Sequence, residues 1–167
     1  MVASLPVVPA TAVGISLDQQ LCLALYTASR AMTARYRVAL TDVGLTYPQY
    51  LVMLLLWEEG PSSVGGIGQR LSLDSSTLSP LLKRLQAMGL VTRTRAASDE
   101  RLMIIGLTER GTALEAQASE VAAEMGAATG QTPDEYRELT EQLQALTARL
   151  EASTVDAVAQ QAQPPVS

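Results

Sequence analysis

The chain contains no histidine and only one cysteine among its 167 residues. The absence of histidine removes the commonest metal ligand and the commonest general base of enzyme sites. A single cysteine cannot form an intrachain disulfide, and without histidine it leaves a structural zinc site short of ligands. We therefore predict that the protein holds no metal and no cofactor.

Long apolar runs and nucleotide-binding motifs are missing as well. No stretch has the roughly 20 consecutive apolar residues that a membrane-spanning helix needs. The N-terminus lacks the basic region and apolar core of a signal peptide, and Gly65-Gly66-Ile67-Gly68 lacks the spacing and the lysine of a phosphate-binding loop. A lone thiol without a disulfide framework is typical of the reducing cytosol. We expect a cytoplasmic protein without a membrane partner.

The charge of the chain is segregated, although the net value is only −5. Residues 70–110 carry seven basic and four acidic side chains, a net charge of +3, whereas residues 1–69 carry −1 and residues 111–167 carry −7. A basic segment inside an acidic chain indicates a surface that binds a polyanion such as DNA. A solvated surface with uneven charge gives the same pattern, so charge alone leaves both interpretations open.

The pattern along the chain predicts one domain, or one domain plus a helical extension. Residues 1–15 show no periodicity and are predicted to be a disordered arm. Residues 16–158 form the domain, with a compact module at about 46–110, and residues 159–167 form a frayed tail. The flanking helices span about 16–41 and 108–158.

The predicted elements are helix, helix, short helix, helix, hairpin, helix and helix. This is the order of a winged helix-turn-helix protein, so the predicted fold class is mainly α with a small β-hairpin. The apolar faces of the two flanking segments need a partner to bury them. We therefore interpret them as dimerisation helices of a homodimer.

Local sequence marks three helix starts. Ser16-Leu17-Asp18-Gln19 and Thr46-Tyr47-Pro48-Gln49 have the spacing of capping boxes, and Thr132-Pro133-Asp134-Glu135 combines an N-cap, a proline and an acidic first turn. The first box predicts a helix that starts at Ser16. Cys22 would then lie beyond the first turn, where the helix dipole gives little support to a negative charge.

The helix-turn-helix is predicted at Val64–Leu71 and Ser75–Met88, and the second helix is expected to enter the major groove. Its first half offers small donors for base edges or phosphates, and the cations that follow suit phosphates. The predicted contacts on this helix are Asp74, Ser75, Ser76, Thr77, Ser79, Lys83 and Arg84. Simple N-capping is the other interpretation of Ser75 and Ser76, and Ser75 suits both roles.

Two short strands, Leu90–Arg95 and Arg101–Leu107, form the predicted hairpin. Its tip spans residues 96–100, and its cations Arg93 and Arg95 are further predicted DNA contacts. The remaining residue of interest is Cys22. As a residue type it is either inert packing or the one redox-reactive atom of the chain.

Several stretches resemble the MarR family of bacterial regulators. Asp99-Glu100-Arg101 followed by Leu107-Thr108 resembles the family's wing signature, and the segment from Leu73 to Leu85 resembles its recognition helix. The segments Leu21–Tyr26 and Gly44–Tyr50 are similar to one branch, the organic hydroperoxide resistance regulators. The resemblance covers about residues 16–125.

The resemblance implies a homodimeric repressor that binds a pseudo-palindromic operator in double-stranded DNA. It implies that Cys22 is the sensor of organic hydroperoxides, with Tyr36 and Tyr47 as hydrogen-bonding tyrosines, partly from the partner subunit, and Tyr26 as a pocket residue. A phenol hydroxyl that donates to a thiolate favours its charged form. In the wing, Arg101 is expected to enter the minor groove, oriented by Asp99.

One departure and two alternative functions follow. Some family members close an intersubunit disulfide with a second, late cysteine that this chain lacks. Oxidised Cys22 is therefore expected to form a mixed disulfide with a small cellular thiol, or to be over-oxidised.

In the first alternative function, a phenolic or other lipophilic ligand releases the DNA and Cys22 is structural. In the second the chain is a thiol peroxidase, which the helix-turn-helix argues against, so we predict that it is not an enzyme.

Overall fold

The structure is a computed structural model that describes residues 16–96 and 102–161, with side chains described as far as residue 155. Its elements follow the predicted order. They are a 3-10 helix Leu17–Gln19, α1 Leu21–Ala39, α2 Tyr47–Glu59, β1 Ser62–Ser63, α3 Val64–Leu71, α4 Ser75–Ala87, β2 Val91–Arg95, β3 Met103–Leu107, α5 Glu109–Ala113, α6 Glu115–Ala128 and α7 Pro133–Gln161. The predicted arm, residues 97–101 of the hairpin with Asp99 and Arg101, and residues 162–167 lie outside the described residues.

The strands form an antiparallel sheet in the order β1-β3-β2 within the described ranges. The hairpin was predicted, and its register runs from Val91 opposite Leu107 to Arg95 opposite Met103. The pairing of β1 with Ile104 and Ile105 was not predicted. A pair of serines carries no strand pattern, and the pairing depends on a strand about 40 residues later in the chain.

The core of the winged module lies between α2, α3, α4 and the sheet. In α4, apolar residues recur at the spacing of one helix face, so that face packs inward while the other stays in water. The buried residues of α4 are Leu78, Leu81, Leu82 and Leu85. Ile67 of α3 and Ile105 of β3 are fully buried in the same core.

The capping box at Thr46 is confirmed and fixes the start of α2. The Oε1 atom of Gln49 accepts hydrogen bonds from the backbone N–H of Thr46 at 2.8 Å and from its hydroxyl at 3.1 Å. The first of these bonds satisfies the backbone N–H of the N-cap residue, a donor that a helix start otherwise leaves without a partner. It places Tyr47 and Tyr50 in the first turn of α2, next to the end of α1.

The capping box predicted at Ser16 is wrong. The side chain of Ser16 makes no capping bond, and only a 3-10 turn follows it. Gln20 adopts an extended conformation (ψ 106°), and α1 begins at Leu21. Cys22 is therefore the second residue of α1, inside its first turn rather than beyond it.

Residues up to Val121 form one compact unit, and residues from Ala122 form a second. The second unit is dominated by α7. Its start is the predicted one, because Glu135 accepts from both the backbone and the hydroxyl of Thr132 at 2.8 Å. The helix extends to Gln161, into the segment predicted to be a frayed tail. None of the helices in the described ranges combines the length and the apolar character that crossing a membrane requires.

Candidate functional site

Asp74 is the N-cap of α4. Its carboxylate accepts from the backbone N–H of Thr77 at 2.8 Å, the hydroxyl of Ser76 at 2.5 Å and the hydroxyl of Thr77 at 3.2 Å. The Ser76 hydroxyl, followed by the Thr77 backbone N–H, lowers the pKa of Asp74. Ser75 is thus the first residue of the helix, so its predicted capping role belongs to Asp74, which orients the two hydroxyl groups beside it.

The predicted contacts on α4 differ in their exposure. Ser75, Ser76 and Thr77 are exposed in the first turn, whereas Ser79 is half-buried. Lys83 and Arg84 are exposed on the face opposite the buried leucines. Hydroxyl donors at the start of the helix and cations further along form the arrangement expected of a helix that reads the major groove.

The cations of the basic segment divide into paired and unpaired groups. Arg70 forms an ion pair with Glu59, with Nε and Oε1 2.9 Å apart. In the part of the chain that the structure describes, no carboxylate pairs with the cations Lys83, Arg84, Arg93 and Arg95. The Nε atom of Arg93 is buried without a hydrogen-bond partner. A cation without a carboxylate partner suits an external anion such as a DNA phosphate.

The base of the wing is anchored to α5 through Gly111. A Cβ atom built on Gly111 would lie 2.0 Å from the carbonyl oxygen of Leu90, so only glycine allows this approach. The indole N–H of Trp57 donates to the Gly111 carbonyl at 3.0 Å. The Thr108 hydroxyl, the N-cap of α5, donates to Gly89 at 2.7 Å. The strands that lead to the hairpin tip therefore leave the core at a fixed position.

Cys22 is exposed in the first turn of α1. A helix start favours negative charge, because its first N–H groups lack intrahelical partners and the dipole is positive there. Leu21 and Tyr26, which lie on either side of Cys22 in sequence, are 60% and 57% exposed, so apolar side chains lie at the surface in this part of α1. The guanidinium of Arg30 lies 5.6 Å from the centre of the Tyr26 ring.

Three tyrosines cluster at the other end of α1. The rings of Tyr36 and Tyr47 have centroids 4.4 Å apart, and those of Tyr36 and Tyr50 have centroids 5.8 Å apart. Tyr50 is 1% exposed, and its hydroxyl donates to the carbonyl of Ala118 at 3.4 Å. Sequence reasoning named Tyr36 and Tyr47 but not Tyr50, because an aromatic residue at the start of an apolar helix is typical of a core.

Within one chain, the thiol and the tyrosines of the predicted site lie far apart. Tyr36 and Tyr47 lie together, but Tyr36 follows Cys22 by fourteen residues in the same helix, a distance of about 21 Å at 1.5 Å per residue. Tyr26 lies near Cys22 and about 15 Å from Tyr36 by the same measure. A single chain therefore does not bring the tyrosine cluster to the thiol.

The helix-turn-helix, the wing and the unpaired cations together define a winged helix-turn-helix protein. The family described as transcriptional regulator SarA/Rot matches residues 35–117. The organic hydroperoxide resistance transcriptional regulator of Bacillus subtilis is 41% identical over 79% of this chain and 90% of its own length. The chain belongs to this MarR-like family of DNA-binding transcriptional regulators.

Two further relatives support the assignment. The HTH-type transcriptional regulator TtmR of Methylorubrum extorquens is 49% identical over 82% of this chain and 70% of its own length. The crystal structure of AbfR of Staphylococcus epidermidis has a TM-score of 0.71 and 39% identity, covering 81% of this chain and 94% of that one. The predicted fold class and family are therefore confirmed.

Proposed function

We propose that the protein is a homodimeric repressor that senses organic hydroperoxides by oxidation of Cys22 and then releases its operator. The observation that carries this proposal is the division of the thiol site within one chain. Cys22 lies at the start of α1, and the tyrosine cluster lies at its end, on the same side of the helix. A second copy with its α1 antiparallel brings each thiol to the other copy's tyrosines.

The two-fold axis of this pairing follows from the spacing. Cys22, Ser29 and Tyr36 are separated by seven residues each, so they form one stripe of α1. The midpoint of Cys22 and Tyr36 is Ser29, a small and exposed residue that permits close approach of two helices. An axis through Ser29 places Cys22 of one subunit beside Tyr36 and Tyr47 of the partner subunit. In this arrangement Tyr26 closes the pocket around the thiol.

The chemistry needs only an activated thiolate and the peroxide. Phenol hydroxyls that donate to sulfur stabilise the thiolate, as does the start of a helix. The sulfur of Cys22 attacks the outer oxygen of the hydroperoxide, and the O–O bond breaks. The alkoxide leaves and takes a proton to become the alcohol. Cys22 becomes a sulfenic acid, oxidised by two electrons, and the peroxide is reduced. The apolar neighbours Leu21 and Leu25 favour organic peroxides.

The fate of the sulfenic acid follows from the same geometry. In an antiparallel pair the two Cys22 residues lie about 21 Å apart at 1.5 Å per residue. A disulfide needs Cα atoms within about 7 Å. The sulfenic acid therefore condenses with a small cellular thiol, forming a mixed disulfide and water, or is over-oxidised. AbfR has been described on DNA in reduced and in overoxidized form and also in a disulfide form. We favour the bulkier disulfide as the releasing product.

On the DNA side, the dimer presents two α4 helices to half-sites about 34–36 Å apart. The hydroxyl groups ordered by Asp74 face base edges or phosphates. The unpaired cations on α4 and β2 neutralise phosphates, and Arg101, outside the described residues, is proposed for the minor groove with Asp99 orienting it. Displacement of Tyr36 by the modified thiol changes the spacing of the two modules, and the operator is released.

The proposal is tested by fluorescence anisotropy on labelled DNA from the region upstream of the protein's own gene. With one small thiol present, cumene hydroperoxide is expected to release the wild-type protein but not Cys22→Ser, and salicylate is expected to release neither. Release of both proteins by salicylate, with no effect of peroxide, would instead support the ligand-responsive function and leave Cys22 structural.

A further inference from the structure

Tyr50 lies where three helices meet. Its own helix, α2, is the first helix of the winged module. Its ring packs against Tyr36 of α1, with centroids 5.8 Å apart and planes tilted by 40°. Its hydroxyl donates to the carbonyl oxygen of Ala118 in α6, at 3.4 Å. Tyr50, which belongs to the winged module, thus contacts both α1 and α6.

Because Tyr50 is buried, its contacts with Tyr36 and Ala118 restrict how it can move. Only 1% of the residue is exposed, so the ring cannot move without repacking its surroundings. A buried hydroxyl also needs its acceptor, because a lost hydrogen bond is not replaced by water. A displacement of Tyr36 therefore reaches Tyr50 through ring contact, and a displacement of Tyr50 reaches α6 through its hydroxyl.

We propose that Tyr50 is a positioning residue that transmits the displacement of Tyr36 to α6 and so couples the thiol to the position of the winged module. This inference rests on the proposed peroxide-sensing function. Tyr50 touches neither the thiol nor DNA and acts through Tyr36. Its phenol hydroxyl links the winged module to α6, and its ring receives the movement that oxidation produces.

The test is Tyr50→Phe, which keeps the ring and removes the hydroxyl. Tyr136→Phe, which removes a hydroxyl from an exposed tyrosine in α7, is the matched control. With one small thiol present, three quantities are measured for each protein: the rate of Cys22 oxidation by cumene hydroperoxide, followed by mass spectrometry, and the operator Kd before oxidation and after the mixed disulfide has formed. Thermal unfolding verifies that each variant is folded.

We expect oxidation to raise the wild-type Kd on the order of tenfold or more, within the usual range of allosteric coupling. In Tyr50→Phe the oxidation rate and the reduced Kd stay within about twofold of wild type, whereas the ratio of the two Kd values falls below about threefold. Tyr136→Phe behaves as wild type.

Two results overturn the inference. One is an unchanged Kd ratio in Tyr50→Phe, and the other is an equal loss of affinity in both states, which indicates a structural role only. If the wild-type protein itself keeps its affinity after Cys22 has formed the mixed disulfide, the peroxide-sensing function fails and the inference fails with it. The measurements on the wild-type protein therefore distinguish a failure of the peroxide-sensing function from a failure of the role proposed for Tyr50.

Discussion

Cys22 and Tyr36 lie on one stripe of α1, about 21 Å apart at 1.5 Å per residue. Tyr36 packs against Tyr47 at the end of the helix, while Cys22 lies exposed in the first turn. The thiol and the tyrosine cluster of the proposed sensor thus lie at opposite ends of one helix. In the proposed dimer, a partner with an antiparallel α1 would bring each thiol to the other chain's tyrosines, once at each end of the helix pair.

This pairing predicts a specific crosslink. In a Cys22→Ser background, Ser29→Cys is expected to form an intersubunit disulfide readily, because residue 29 lies at the proposed two-fold axis. Val38→Cys, which is also exposed, would lie about 27 Å from its counterpart at 1.5 Å per residue and should stay monomeric on a non-reducing gel. Equal crosslinking of both variants would contradict an axis at Ser29.

The unpaired cations predict how DNA binding depends on salt. Lys83→Gln and Arg84→Gln should each weaken binding by a similar factor on all sequences and reduce the salt-dependence slope by about 1, as expected for one lost phosphate contact. Arg70→Gln is the control, since Arg70 is already paired with Glu59. Slopes are measured from operator Kd values at several salt concentrations. An unchanged slope for both α4 variants would exclude them from the interface.

Alanine substitutions at two glycines are expected to change the free energy of unfolding in opposite directions. Gly111→Ala is expected to cost about 1–3 kcal/mol, because the new Cβ would meet the Leu90 carbonyl oxygen at 2.0 Å. Gly65→Ala should raise stability by up to about 1 kcal/mol, since nothing lies within 4 Å of its Cβ position in α3. Urea unfolding of both variants measures the difference. A neutral Gly111→Ala would show that α5 does not approach Leu90 so closely.

The capping carboxylate of Asp74 predicts a dependence on pH. Its folded pKa lies below the ordinary value of 3.8, so the folded state binds the proton more weakly than the unfolded state. The stabilisation is present above the unfolded pKa and is lost as the pH falls through the folded pKa. Asp74→Asn retains a capping oxygen but does not titrate there. Between pH 5 and pH 2.5, the melting temperature of wild type should therefore fall further than that of Asp74→Asn, and parallel curves would contradict this.

Local chemistry made much of the fold predictable. The boxes at Thr46 and Thr132 start helices as expected, because the partner of each cap lies three residues away. The box at Ser16 does not start a long helix, because the extended conformation of Gln20 separates the 3-10 turn from α1. The pairing of β1 with β3 escaped prediction because it depends on residues far apart in sequence.

The candidate site was predictable only in part for a related reason. The cations of α4 and β2 were predicted from charge segregation, and the proposed role of Cys22 came from a family resemblance. That Asp74 rather than Ser75 caps α4 was not evident, since both residue types suit that position. Nor was the contact from Tyr50 to Ala118, which joins residues 68 positions apart.

The most direct test of the thiol switch titrates the reduced dimer on its operator with cumene hydroperoxide. The fraction of bound DNA and the oxidation state of Cys22 are followed in the same samples, with one small thiol present. The account predicts that release follows the mixed disulfide at Cys22, that dithiothreitol restores binding, and that Cys22→Ser stays bound throughout. Full oxidation of Cys22 with the operator still bound would contradict it.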